Sequence, residues 1–150
     1  MERRRESRQV VLQLLFQSDS NPDSTAYTAR EMLEEELKHS DAREFAWQLY
    51  TGTLSTRDEI DARIQAVADN WRVSRMAVTD RNVLRMGIYE MTRMGTPAAV
   101  VLDECIEIAK AYGSEKSGEF VNGILDKLVP QSDEPGDVAA DPEPSAASAD

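Results

Sequence analysis

The chain has 150 residues, 41% of them hydrophobic and 30% charged, with a formal net charge of −11 at pH 7. That length holds one domain with a real core, or two small helical subdomains, and the acidic balance excludes nucleic-acid binding through overall charge. A single cysteine, Cys105, excludes an internal disulfide framework and suits a reducing compartment.

The chain opens with Arg3, Arg4, Arg5 and Arg8, interspersed with Glu2 and Glu6. Val10, Val11, Leu14 and Leu15, with Leu12 and Phe16 beside them, predict a first helix that buries one side. Its apolar run is too broken for a signal peptide, and no stretch is long enough to span a bilayer, so a cytoplasmic protein is expected. Four arginines at a terminus fit either a solvated, disordered arm or a phosphate-binding cluster. Arginine suits the second role through its fork of donors and permanent charge.

Residues 18–24 (SDSNPDS) read as a turn. Thr25 to Lys38 predicts a short acidic helix, with Ala29, Met32, Leu33 and Leu37 as its buried positions. Asp41 with Glu44, and Thr56 with Glu59, are spaced as capping boxes for the next two helices. The first carries Phe45, Ala46, Leu49 and Tyr50, and the second Ile60, Ile64 and Val67. Trp71 is expected to anchor the end of the latter against the core. Arg72 to Val78 then connects to the organising stretch.

That stretch runs from Thr79 to Leu128 and shows three helical stripes. They are Val83/Leu84, Gly87/Ile88 and Met91; then Val101, Cys105, Ile108 and Tyr112; then Phe120/Val121, Ile124/Leu125 and Leu128. Gly95-Thr96-Pro97 separates the first two helices, Gly113 closes the second, Ser114 or Ser117 caps the third, and Pro130 stops it. Asn122-Gly123 is a hairpin signal, but each flank is too short for a strand and the helical spacing continues to Leu128. Gly123 within that helix implies close approach of a neighbouring helix. The fold class is all-α, about seven helices in two packed helical subdomains.

VLRMGIYEM, DECIEIAKAYGSEKSGEFVNGILDKL and the Arg-rich start together resemble the NusB transcription antitermination family, from about Arg3 to Leu128. The FVNGILD segment is the most specific part. The resemblance implies a non-catalytic RNA-binding factor that pairs with the ribosomal protein NusE. It further implies binding to boxA-type single-stranded RNA in ribosomal-RNA transcripts, joining the RNA polymerase elongation complex, and suppression of premature termination. Carried over by position, Arg4, Arg5 and Arg8, and more loosely Arg3, are RNA-binding candidates. Gln13 is either an RNA contact or a surface polar residue. Lys116 lies in the loop where RNA is expected nearby, and Phe120 is either a base-stacking aromatic or core. Asp80 and Arg81 are the candidates for docking NusE, Asp80 being equally readable as a simple helix-start charge. Asp103-Glu104-Cys105 departs from the Asn-Glu-Ala common in the family, which puts any role of that Asn in doubt.

The charge is uneven. Residues 131–150 hold six acids and no base, and the stretch from Asp19 to Asp41 holds seven acids against Arg30 and Lys38. The remainder is near neutral with a basic tip, so RNA binding must be local and shared with a partner. Residues 1–130 form the expected domain, with subdomains of about 1–73 and 74–130. The Pro-, Ala-, Ser- and acid-rich remainder, 131–150, reads as a disordered tail.

Nothing in the sequence builds an active site. His39 sits in a polar turn, no His/Cys/carboxylate cluster has metal-ligand spacing, and no glycine-rich phosphate loop precedes a helix. Neither cofactor nor metal is expected. Two other readings remain: a helical adaptor that binds protein alone, and a domain like the RNA-binding one of ribosomal-RNA cytosine methyltransferases. The second would need a cofactor-binding half that this sequence lacks. The first has no use for Arg4, Arg5 and Arg8 together.

Overall fold

The computed structural model describes residues 2–21, 23 and 26–130. The expected disordered tail, 131–150, and part of the expected turn at 18–24 lie outside them. Seven α-helices follow in chain order among the described residues: α1 (Glu2–Ser20), α2 (Ala26–Glu36), α3 (Ser40–Ser55), α4 (Arg57–Val67), α5 (Val78–Arg93), α6 (Ala98–Tyr112) and α7 (Ser117–Lys127), with a short 3-10 turn at Val73–Arg75 before α5. The all-α reading holds, and the FVNGILD segment is helical.

α5 is the axis of the fold. Its apolar residues Val83, Leu84, Met86 and Ile88 are fully buried, and so are the polar Asn82, Arg85 and Glu90. A helix buried around its circumference needs neighbours on every side. α1, α3, α4, α6 and α7 supply them, and each packs against α5. Around that ring α1 lies against α3, α3 against α4, α4 against α7, and α7 against α6. Arg5 and Arg8 of α1 close it by reaching Glu104 on α6. α2 stays outside, packed on α1 and α3. The stripe legible in the sequence is therefore one side of a helix that is enclosed on several. Truncating Leu84 or Ile88 to Ala would cost about 2–5 kcal/mol, as for other fully buried aliphatic side chains.

The connections depart from the expected caps. Asp41 does not cap α3, which starts at Ser40 behind His39, and the His39 side chain makes no capping bond. The Asp41 carboxylate accepts instead from the Ala42 N–H and from Arg3, while Glu44 accepts from Gln48. Thr56 ends α3 and begins α4 at once, and its hydroxyl donates backwards to the Gly52 carbonyl at 2.8 Å. The hydroxyl is thereby turned toward the preceding helix, and it makes no capping bond to α4. Trp71 is not a core anchor: it is 54% exposed, and its ring meets Phe120 edge-on with centroids 5.6 Å apart. Tyr112 and Phe16 are likewise exposed rather than buried on their stripes.

The glycines divide by what surrounds them. Gly95, at φ 75°, takes the left-handed conformation expected just past a helix end. Gly52 is required by Tyr89, whose Cζ lies 2.0 Å from where a Cβ on residue 52 would sit. Gly123 does not admit a neighbouring helix as its position implies, for nothing lies within 4 Å of its would-be Cβ. It faces open space on α7, so its helix-propensity penalty is uncompensated by packing.

Gly123→Ala should therefore raise stability by up to about 1 kcal/mol, visible as a higher midpoint in thermal unfolding. Gly52→Ala should lower it through displacement of Tyr89. Destabilisation by Gly123→Ala would mean that the outward face of α7 is not free.

Candidate nucleic-acid interface

The Arg-rich start of the chain is held as part of α1. Ser7, buried one turn in, shares its hydroxyl proton between the Arg3 carbonyl at 2.9 Å and the Ala42 carbonyl at 3.0 Å, the latter contact tying the start of α1 to the start of α3. The arginines then fan out with the 100° step of the helix. Arg3 reaches Asp41 on α3 at 3.1 Å. Arg5 forms a fork on Glu104 of α6, Nε at 3.0 Å and Nη2 at 2.9 Å. Arg4 lays its guanidinium over the Phe45 ring, 4.6 Å from the centroid. Among the described residues it has no carboxylate partner.

Arg8 points inward. It is 3% exposed, and its Nε donates to Glu90 Oε1 at 2.8 Å while Nη2 donates to the other carboxylate oxygen. Glu90 is fully buried. Arg8 Nη1 also lies 3.6 Å from Glu104, which joins α1, α5 and α6 at one point. The hydrogen bond from Arg5 holds the Glu104 carboxyl below the usual carboxylate range, with the charges of Arg5 and Arg8 reinforcing it. Cys105, next in sequence, is the opposite case: burial pushes its thiol up to about 12, so it is no thiolate at neutral pH.

The other candidates occupy different places. Gln13 is exposed on α1. Lys116 is exposed in the position just before α7. Phe120 is half-buried against Trp71, on the side where α7 meets α4 rather than α1. Asp80 and Arg81 sit at the far end of α1 from the arginine cluster. Arg81 Nη2 donates to Asp19 at 3.2 Å, and Asp19 also accepts from Asn82 at 3.0 Å. Asp80 is 9% exposed, and its Oδ1 has no partner among the described residues. Arg85 makes a fork on Asp61, both bonds at 2.8 Å. Arg85 and Glu90 thus make intradomain polar contacts.

The cluster gathers Arg3, Arg4 and Arg5 at the surface over Arg8, and leaves Gln13, Lys116, Phe120, Asp80 and Arg81 apart from it. Sequence reasoning misses Ser7, Asp41 and Glu104 as the groups that hold the cluster, because their partners lie on distant segments. Phe45 reads only as core in the sequence, and no local signal marks it as the seat of Arg4.

The sequence model of the NusB family matches residues 5–130. The chain belongs to the NusB family. It is similar to the transcription antitermination protein NusB of Bdellovibrio bacteriovorus, 40% identical over 127 residues, which cover 83% of this chain and 93% of that one. The NusB of Solibacter usitatus is 41% identical over 139 residues, covering 90% and 94%. Among solved structures, NusB of T. maritima superposes with a TM-score of 0.77 at 38% identity, over 87% of this chain and 93% of the other. A chain in the crystal structure of antitermination factors NusB and NusE in complex with dsRNA gives 0.77 at 28% identity, over 85% and 96%. The NusB fold therefore covers every helix described above.

Removing one partner of the Arg8–Glu90 pair strands the other as a buried charge. Glu90→Gln should cost about 3–5 kcal/mol in denaturant unfolding, whereas an Arg8→Met, Glu90→Leu double variant should recover most of it. Equal losses in both would show that the charges stabilise the fold outright. Glu104 has a lowered pKa in the folded state, so its contribution is complete above the ordinary glutamate value and is lost as pH falls through the folded one. The stability gap between wild type and Glu104→Gln should be constant near neutrality and shrink in acid.

Proposed function

We propose that this chain is a non-catalytic RNA-binding transcription antitermination factor that works as a pair with the ribosomal protein NusE. The pair binds a boxA-type single-stranded element in ribosomal-RNA transcripts. It joins the elongating RNA polymerase in the cytoplasm and suppresses premature termination. The observation that carries this reading is the arginine cluster on the first turns of α1: it is seated in the folded domain rather than trailing from it. Arg4 rests on Phe45 with its donors uncommitted, and Arg3 and Arg5 flank it. Family membership and a structural neighbour described as NusB and NusE in complex with dsRNA support the partner and an RNA ligand.

The geometry supports a division of labour. Arg3, Arg4 and Arg5 supply phosphate contacts, and each phosphate neutralised releases counterions. Arg8 acts through position: its buried pair with Glu90 fixes the helix that presents the other three. Asp80 and Arg81, at the other end of α1, belong to the NusE-docking side, which leaves the arginine end for RNA. Gln13 lies between the two ends, and Lys116 and Phe120 form a second, smaller contact. The reading keeps two halves of about 1–73 and 74–130, and the 3-10 turn at Val73–Arg75, which joins α4 to α5, supports a division there.

RNA binding by fluorescence anisotropy tests this reading. A boxA-like and a scrambled single strand are each titrated with and without NusE across a salt series. Selective binding that tightens with NusE is expected. An Arg4→Ala, Arg5→Ala double variant should bind more weakly, with a salt slope flatter by about 0.7 for each phosphate that is no longer neutralised. No binding to either strand, even with NusE, would leave a protein-only adaptor.

A further inference from the structure

A cleft of about 820 Å³ opens between α3 and the C-terminal end of α5, with Arg4 at its rim. Its size is that of a small-molecule site, and it adjoins the arginine cluster directly. Three groups there have bonding capacity that the fold does not use. Arg4 holds its guanidinium carbon over the Phe45 ring and has no carboxylate partner among the described residues, unlike Arg3, Arg5 and Arg8. The Tyr89 hydroxyl has no hydrogen-bond partner among the described residues, although its ring is seated tightly on the bare backbone of Gly52. Gln48, exposed on α3, commits its amide N–H to Glu44 and keeps its carbonyl oxygen available.

The geometry points to this cleft as the seat of one unstacked nucleotide of a bound single-stranded RNA. The base stacks on the outer face of Arg4, continuing a Phe45–Arg4–base sandwich. Its edge meets the Tyr89 hydroxyl and Gln48, and its phosphate takes the in-plane N–H groups of Arg4. Guanidinium planes and aromatic rings are the usual platforms for splayed-out bases. Arg4 covers the Phe45 face, the remaining lining mixes polar and apolar groups, and the cleft's carboxylates Asp41 and Glu44 are engaged by Arg3 and Gln48. A planar, polar-edged ligand with an attached anion matches what is left. This inference rests on the RNA-binding reading above and adds where, within the protein, a base is held.

Three variants on accessible positions separate the two: Arg4→Lys, which keeps the charge but loses the plane, Tyr89→Phe and Gln48→Leu. Each is titrated with NusE and the boxA-like strand. In parallel, the wild-type complex is irradiated with 5-iodouridine placed at each uridine in turn, and crosslinked peptides are identified by mass spectrometry. The expected result is an affinity loss of about fivefold or more for Arg4→Lys, the lower end of a single stacking contribution. Smaller losses follow for Tyr89→Phe and Gln48→Leu, and at least one uridine crosslinks to the peptide containing Tyr89. Wild-type binding with unchanged affinity in all three variants and crosslinks confined to other helices would overturn the cleft while leaving the RNA reading standing. Weakened NusE binding with RNA affinity intact would make the cleft a protein-docking site and overturn it too. Absence of any RNA binding by wild type would remove both.

Discussion

The ion pair of Arg8 with Glu90 is the constraint on which the arrangement depends. It lies between α1 and the enclosed helix α5, and Glu104 from α6 completes the junction. Two opposite charges sealed from water demand close geometry, because each is costly to bury alone. The pairing therefore dictates the rotation of α1 about its own axis. Once Arg8 points inward, the helical step sends Arg3 toward α3, Arg5 toward α6 and Arg4 outward between them. The surface available to a phosphate backbone is in this sense set by a pair that no phosphate can touch.

The same logic explains how a protein of net charge −11 offers a basic site. Arg3 and Arg5 stand against Asp41 and Glu104, so their charge is locally balanced while the site is empty. An exposed pair such as Arg3–Asp41 is worth little, and its arginine is readily turned to a competing anion. Arg5 is held more firmly, by two bonds to a largely buried carboxylate. Arg4, seated on an aromatic ring, carries its charge without a counter-ion among the described residues. The three surface arginines are graded in how freely they can act.

Much of this is legible in the sequence, and the limits are physical. The stripes from Val83 to Met91 and from Val101 to Ile108 announce their helices because burial of aliphatic side chains leaves a period. The burial of Asn82, Arg85 and Glu90 leaves none, since a polar residue goes inside only when a remote partner satisfies it. Asp41 and Thr56 carry capping signatures that fail for a related reason. Asp41 is engaged by Arg3, 38 positions away, and the Thr56 hydroxyl is turned back to the Gly52 carbonyl one turn earlier. Gly123 suggests a close neighbour and has none, whereas Gly52 lies under Tyr89 with nothing in its flanking residues to say so. Of the site, the arginines are evident from composition, but the contrast between buried Arg8 and stacked Arg4 needs the helix to be placed.

The ring around α5 closes at one seam, between α1 and α6, and the groups that close it are far apart along the chain. Arg8 and Glu90 are separated by 82 positions, and Arg5 and Glu104 by 99. Contacts of such separation form late, after more local pairings have restricted the chain. Synthesis runs from the N-terminus onward, so Arg5 and Arg8 precede Glu104 and Glu90 by most of the domain, whereas Asp41, the partner of Arg3, follows much sooner. Until Glu90 and Glu104 emerge, Arg8 and Arg5 cannot form the pairs of the folded state, and they spend that interval beside a translation machinery made of RNA. The seam that completes the fold is also the event that withdraws that charge from indiscriminate contact.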